Sequence, residues 1–279
     1  MPTAIADRVR EYRSRYEQFG LLYTALAPMR SLSELAGRRL SETSELIEAQ
    51  LLRIEGAQGV LGPAHRAYSR HSASENRAVF TDWAFAQGGD EWNASDEPER
   101  WKATLIDEVL LVALGDAESV LEIGPGAGRW SEVLQPRARR LVLVDVTPRA
   151  LELTKERLGD VDNVEFILSD GAAFPAVDDS STDFVWSFDA FVHMAPLDVA
   201  SYVAEIARVL RPGGSAVIHH SGAWRRSFGW RSPMTAVLFA QLAREQGLEV
   251  ERQFDCWSDG RFDVRTNNDV ITALRLPAA

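Results

Sequence analysis

Val120-Leu121-Glu122-Ile123 is an apolar run broken by one carboxylate, and it leads directly into Gly124-Pro125-Gly126-Ala127-Gly128. Glycine is needed where the backbone takes positive φ and where a ligand must lie against the main chain with no Cβ between them. Three alternating glycines after a strand therefore describe a loop that cradles a nucleotide-type cofactor. Asp145 ends the next apolar run, Leu141-Val142-Leu143-Val144, where a second parallel strand would present an acid to ribose hydroxyls. A further set of chemistry-bearing residues follows later strands: Asp189 and His193 after the fourth, and His219-His220 after the fifth. Open α/β sheets bind ligands outside the carboxyl ends of their strands, so these four side chains are expected to converge.

A dinucleotide site has the spacing G-x-G-x-x-G and a helix N-terminus open to a pyrophosphate. Here the spacing is G-x-G-x-G, preceded by Glu122, whose charge would repel a diphosphate and suit a cationic, amine-bearing ligand. The stretch 122–128 resembles motif I of the class I S-adenosylmethionine-dependent methyltransferases. Asp145 matches that family's ribose-binding acid, and Ser169-Asp170-Gly171 matches the acid that meets the adenine amine. Arg208-Val209-Leu210-Arg211-Pro212-Gly213-Gly214 matches the turn before its fifth strand. The resemblance implies an α/β, Rossmann-like, doubly wound seven-stranded sheet with S-adenosylmethionine as cofactor and S-adenosylhomocysteine as product. It also implies cofactor contacts from Glu122, Gly124, Gly126, Gly128, Asp145, Val146, Asp170, Gly171 and Ser187.

Methyl transfer to oxygen is an in-line displacement on a sulfonium carbon, and a hydroxyl is a poor nucleophile until its proton is removed. Histidine, with an unperturbed pKa of about 6.5, is the usual base, and a positioned base contributes roughly 10²–10⁴-fold. On this reading His219 or His220 takes the proton, Asp189 orients the base or the acceptor, and His193 lines the pocket. A second reading resembles metal-dependent O-methyltransferases, with Asp189, His219 and His220 holding a divalent cation. Hard cations prefer oxygen ligands, so catalysis without metal is the expectation. In a third reading the histidines are packing or hydrogen-bonding groups.

Beyond the fifth strand a basic, aromatic segment contains Trp224, Arg225 and Arg231. It could clamp an anionic, sugar-bearing acceptor, since arginine binds phosphate bidentately and aromatic rings stack on sugar faces. Equally it could be a solvated loop with its tryptophans tucked onto the sheet. Together with Arg261-Phe262-Asp263-Val264-Arg265 and Asn268-Asp269-Val270-Ile271-Thr272, this part of the chain resembles bacterial natural-product deoxysugar O-methyltransferases of the nucleotide-rhamnose type. That resemblance implies a small-molecule acceptor, a hydroxyl of a nucleotide-linked deoxysugar. N- or C-methylation of another small metabolite, and a cofactor-binding but non-catalytic partner subunit, are the alternatives.

The elements that must position these residues alternate in βα order, which implies a parallel sheet with right-handed crossovers. Strands are expected near 119–123, 141–145, 164–168, 183–187 and 215–219, with further strands near 248–256 and 268–276. Helices are expected near 129–135, 148–158, 198–209 and 233–246. Pro148 suits a first helical turn, and Pro212-Gly213-Gly214 should end the helix before the fifth strand. Ile5, Val9, Tyr12, Tyr16 and Phe19 recur at helical spacing. Residues 1–62 thus read as a helical, oligomer-forming segment, 63–115 as an aromatic-rich lid leading into the core, and 116–279 as the cofactor-binding domain.

The 279 residues carry 41 acidic against 30 basic side chains, a formal net charge of −11. Such a balance argues against a general affinity for nucleic acid or anionic membrane. Cys256 is the sole cysteine, so no intramolecular disulfide or cysteine-rich zinc site is available, and it reads as a small apolar residue in a late strand. No apolar run of about 18 residues or leader-like N-terminus is seen, so a cytoplasmic protein is expected, and the N-terminal helices point to a homo-oligomer.

Overall fold

Short, fully apolar runs bounded by turn residues fold as strands buried on both faces, the signature of a parallel sheet covered by helices. Leu141, Val142, Leu143 and Val144 are completely buried, as are Val120, Leu121, Phe184, Val185 and Trp186. A computed structural model describes residues 72–81, 85, 88–90, 95–171, 173–222, 231–232, 234–265 and 268–278. All lie within one compact unit of the chain, 71–279. The helices expected in 1–62, and Trp83, Trp92, Trp224 and Arg225, lie outside the described residues.

The strands are β1 (Ser119–Ile123), β2 (Arg140–Asp145), β3 (Val164–Leu168), β4 (Thr182–Ser187), β5 (Leu210–Ser221) and β6 (Glu249–Phe254), then β7 (Cys256–Trp257), β8 (Phe262–Asp263) and β9 (Asp269–Arg275). Seven form one sheet in the order β3-β2-β1-β4-β5-β9-β6, and β7 pairs with β8 as a separate hairpin. Strands β1 to β5 pair in parallel. The parallel pairing read from the βα alternation ends at β9, which runs antiparallel to both β5 and β6. Strand β9 is joined to β6 by a hairpin-containing stretch instead of a crossover helix, and such a connection permits antiparallel pairing. Chain order reverses between β1 and β4, which opens a crevice at their carboxyl ends.

The helices are α1 (Ala73–Thr81), α2 (Pro98–Leu105), α3 (Leu111–Leu114), α4 (Ser131–Leu134), α5 (Pro148–Leu158), α6 (Pro196–Val209) and α7 (Ala236–Glu245), with a π-helical segment, Ile106–Leu110, joining α2 to α3. Thr147 caps α5 by accepting from the Ala150 amide at 3.4 Å, and Pro148 fills the first turn. Thr235 caps α7 through the Leu238 amide at 3.1 Å. Helix α6 already ends at Val209; the Pro212-Gly213-Gly214 turn expected to stop it belongs to β5. Leu210 pairs with Thr182 but Ser215 pairs with Phe184, so residues 211–214 form an excursion within the pairing.

One face of the sheet carries an aromatic cluster of Trp101, Trp130, Trp186, Phe188 and Trp257. Trp101 meets Trp257 and Phe188 edge-on at centroid separations of 5.2 and 5.8 Å, and Trp186 stacks on Phe188 at 5.8 Å. Such pairs are worth about 0.5–1.5 kcal/mol each beyond the area they bury. Trp101 therefore belongs to the core and does not form part of a lid surface. Cys256, expected as an apolar strand residue, lies half-buried in the β7–β8 hairpin.

Candidate active site

The sequence G-P-G-A-G permits a backbone that other residues resist. Gly124, Gly126 and Gly128 take φ of +72°, +58° and +82°, the left-handed region open to glycine at no steric cost. A Cβ on Gly124 would sit 2.4 Å from the Ala190 Cβ, and one on Gly126 would meet the Phe85 ring at 3.3 Å. Gly128 serves packing, since its Cβ would press on Thr154 and Arg157 of α5 at 3.1 and 3.2 Å. The loop edges a cavity of about 960 Å³, part of it open solvent, outside the carboxyl ends of β1, β2 and β4.

Asp145 ends β2 on the cavity wall, with Val146 and Thr147 beside it. Its Oδ1 accepts from the Thr147 amide at 2.8 Å and the Thr147 hydroxyl at 2.9 Å. Burial raises its pKa, opposed by these hydrogen bonds. Gly171 lines the cavity at φ +95°, with a would-be Cβ only 2.1 Å from the Ala73 Cβ of α1. Helix α1 is held there by three anchors: the Ala73 amide donates to Asp198 at 2.8 Å, Asn76 Nδ2 to the His193 carbonyl at 2.8 Å, and Arg77 Nε to the Val146 carbonyl at 2.9 Å. Ala73, Asn76, Phe80, Phe85 and Gly89, all from the region read as a lid, line the cavity.

Three cofactor candidates sit elsewhere. Glu122 does not line the cavity; it is buried beneath the loop, where Ser131 Oγ donates to its Oε2 at 2.6 Å. Burial pushes its pKa up to about 8. Burial thus favours its neutral form, which weakens the repulsion of diphosphate read from its charge. Ser187 is buried with its hydroxyl on the Ile123 carbonyl at 2.7 Å, tying β4 to β1. Asp170 is exposed and accepts from the Ala173 amide at 3.2 Å.

The fifth-strand histidines do not converge as expected. Adjacent residues of a strand point to opposite faces, and neither His219 nor His220 lines the cavity. His220 is completely buried against Phe239 of α7, with ring centroids 3.8 Å apart. Its Nε2 lies 2.7 Å from Thr272 Oγ1 and its Nδ1 2.8 Å from the Ser221 carbonyl. Burial drives its pKa down to about 3. His219 stacks on Phe188 at 4.2 Å on the other face. Its Nδ1 accepts from the Asp189 amide at 3.1 Å, and its Nε2 lies 3.6 Å from Asp269 Oδ2. Arg231, expected at the acceptor, closes this chain by pairing with Asp269 at 3.0 Å.

Asp189 and His193 do reach the cavity. Asp189 takes φ +63°, a conformation that Asp tolerates better than most residues. Burial alone would raise its pKa; its contact with His219 and the charges of Arg129 and Arg231 outweigh burial and hold it below the usual value. His193 meets the Phe80 ring edge-on at 5.4 Å. The proposed metal set of Asp189, His219 and His220 cannot share one ion, because the two histidines occupy opposite faces. Among the described residues no group of three or more His, Cys, Asp or Glu is placed to hold a metal.

Sequence reasoning missed Arg129, Asn76, Phe80 and Asp198, which all line the cavity. Arg129 directly follows the glycine loop, a position that could have flagged it. The others come from segments distant in sequence, and only the fold brings them here.

Residues 120–214 match the model of a methyltransferase domain. Nodulation protein S of Bradyrhizobium diazoefficiens is 39% identical over 150 residues, covering 53% of this chain and 70% of that one. Nodulation protein S of Rhizobium tropici is 26% identical over 188 residues, 66% of this chain and 78% of that one. The crystal structure of N-methyltransferase NodS from Bradyrhizobium japonicum WM9 with S-adenosylhomocysteine superposes with a TM-score of 0.54 at 20% identity, covering 68% of this chain and 97% of that one. The chain belongs to the class I S-adenosylmethionine-dependent methyltransferases. It is an enzyme whose cofactor is S-adenosylmethionine, and the glycine positions of the loop, with Asp145 on the same wall, fit an adenosine.

Proposed function

We propose that this chain methylates an amine nitrogen of a small molecule. The observation that carries the reading is the withdrawal of His219 and His220 from the cavity, which leaves Asp189 and Asp198, besides Asp145 at the end of β2, as carboxylates on its wall. A hydroxyl requires a base in the transition state, whereas a neutral amine already offers a lone pair. Carboxylates suit an amine, since they accept its N–H bonds and favour a cation. The likeness to an N-methyltransferase supports the same reading.

S-adenosylmethionine supplies an electrophilic methyl carbon. The chain's own residues position and shield. Asp145 would hold the ribose hydroxyls, the backbone of 124–128 and Gly171 would bound the adenosine, and α1 with Phe85 would cover the trough. Asp189, kept ionised by its neighbours, accepts an N–H hydrogen bond from the acceptor amine, and the methylated ammonium loses its extra proton to solvent. Alignment at near-attack distance provides the greater part of the rate.

A second reading, O-methylation of a deoxysugar hydroxyl, is favoured by His193, an imidazole on the cavity wall. A panel of small amines and nucleotide-deoxysugars, with the methylated atom located by NMR, decides between them. An N-methyl product with His193→Gln turning over within about fivefold of wild type supports the first. An O-methyl sugar whose formation falls about 10²-fold or more in His193→Gln overturns it.

A further inference from the structure

Among the described lining residues Arg129 is the one lysine or arginine. It is 3% exposed and directly follows Gly128. Its guanidinium lies over the Trp130 ring at 4.5 Å and over Trp101 at 5.4 Å. It pairs with Asp90 at 3.0 Å and with Asp189 at 3.5 Å. Taking a guanidinium out of water is costly, and ion pairing plus two indole faces offset that cost at a fixed spot on the wall.

The methionine end of the cofactor is a zwitterion, an α-carboxylate beside an α-ammonium. The wall offers a buried cation that suits the carboxylate half of that zwitterion. We infer that Arg129 is the receptor for the cofactor's α-carboxylate. Arginine suits this role because its planar fork matches a carboxylate and stays charged at every working pH. The indoles fix the fork before the ligand arrives, so little side-chain entropy is lost on binding. Asp90, on the half-exposed turn at 88–90, shares the guanidinium and so links that turn to the ligand end of the site.

The inference rests on the cofactor and is independent of the acceptor, so binding alone tests it. Two ligands are titrated calorimetrically: S-adenosylhomocysteine, and 5′-methylthioadenosine, which keeps the adenosine thioether and lacks the amino-acid head. Arg129→Gln is expected to weaken S-adenosylhomocysteine about 10–100-fold, the range of a charged hydrogen bond, and to change methylthioadenosine less than about twofold. Equal losses for both ligands would mark Arg129 as a scaffold for the loop and indoles, and no loss for either would remove it from binding; both overturn the assignment. Arg129→Lys guards against a variant that fails to fold. It keeps the charge without the fork, and is expected to weaken S-adenosylhomocysteine severalfold while sparing methylthioadenosine. Unselective loss in Arg129→Lys likewise overturns the proposal.

Discussion

The carboxyl edge of the sheet has two halves that work differently. At β1 and β2 the site is mostly backbone: three left-handed glycines and one acid whose Oδ1 is fixed by its own turn. At β4 and β5 it is side chains, and their direction decides everything. Asp189 reaches the cavity because a left-handed residue turns the chain there. His219, buried behind the wall, supports Asp189 from behind, and His220 serves the α7 interface. A backbone site is specified by residue type alone, whereas a side-chain site is specified by type, strand parity and whatever packs behind it.

The sharpest way to break this contrast is Gly126→Val. A β-branched residue at φ +58° facing the Phe85 ring should abolish S-adenosylhomocysteine binding, a loss of more than about 10²-fold by calorimetry. Retained binding would mean that the loop is scaffold only.

Next in size is Glu122→Gln, which separates the buried acid from the cofactor. The folded pKa of Glu122 is raised from its ordinary 4.5 to about 8. Its neutral form is thus favoured in the fold, and that stability is full below pH 4.5 and lost as pH rises through 8. Glutamine removes the loss, so the variant should gain on wild type from pH 5 to pH 9 by about 2–5 kcal/mol in denaturant melts. A pH-independent difference would deny the shift. Asp145→Ala should weaken S-adenosylhomocysteine about 10–100-fold while leaving the fold cooperative, since it removes a charge-assisted contact.

The smallest effect expected concerns the far face. His220 is held neutral, with its pKa lowered to about 3. Its contribution is present above pH 6.5 and lost as pH falls toward 3. Wild type should lose about 1–3 kcal/mol in that window, and His220→Gln, weaker at pH 8, should show a flatter acid limb. A limb of equal steepness in both would place the acid sensitivity elsewhere.

The parallel half of the fold was legible because fully apolar strands alternate with capped helices; α5 begins at Pro148, as the sequence implies. The antiparallel β9 was not, since a strand's pattern of burial says nothing of its direction. Asp145 was legible in the site because it ends an apolar strand, and the carboxyl ends of parallel strands are where such sheets bind ligands. Glu122 misled because a carboxylate inside an apolar strand reads as a charge, whereas burial makes it a neutral hydrogen-bonding group. His219-His220 misled because adjacency in sequence guarantees opposite faces in a strand. Arg231 was drawn into the same network by Asp269, a partner 38 residues later that no local pattern announces.

The excursion at 211–214 bears on how this edge can vary between relatives. Pairing of β4 with β5 resumes at Ser215 irrespective of the loop that precedes it, and Arg211 ties the loop's base to Asp183 at 2.5 Å. Residues could be inserted or lost before Ser215 without shifting the parity of His219. A single deletion after Ser215 would exchange the two histidines between faces, undoing the support behind Asp189 and the α7 contact together. Length is therefore free to drift on one side of a single residue and frozen on the other.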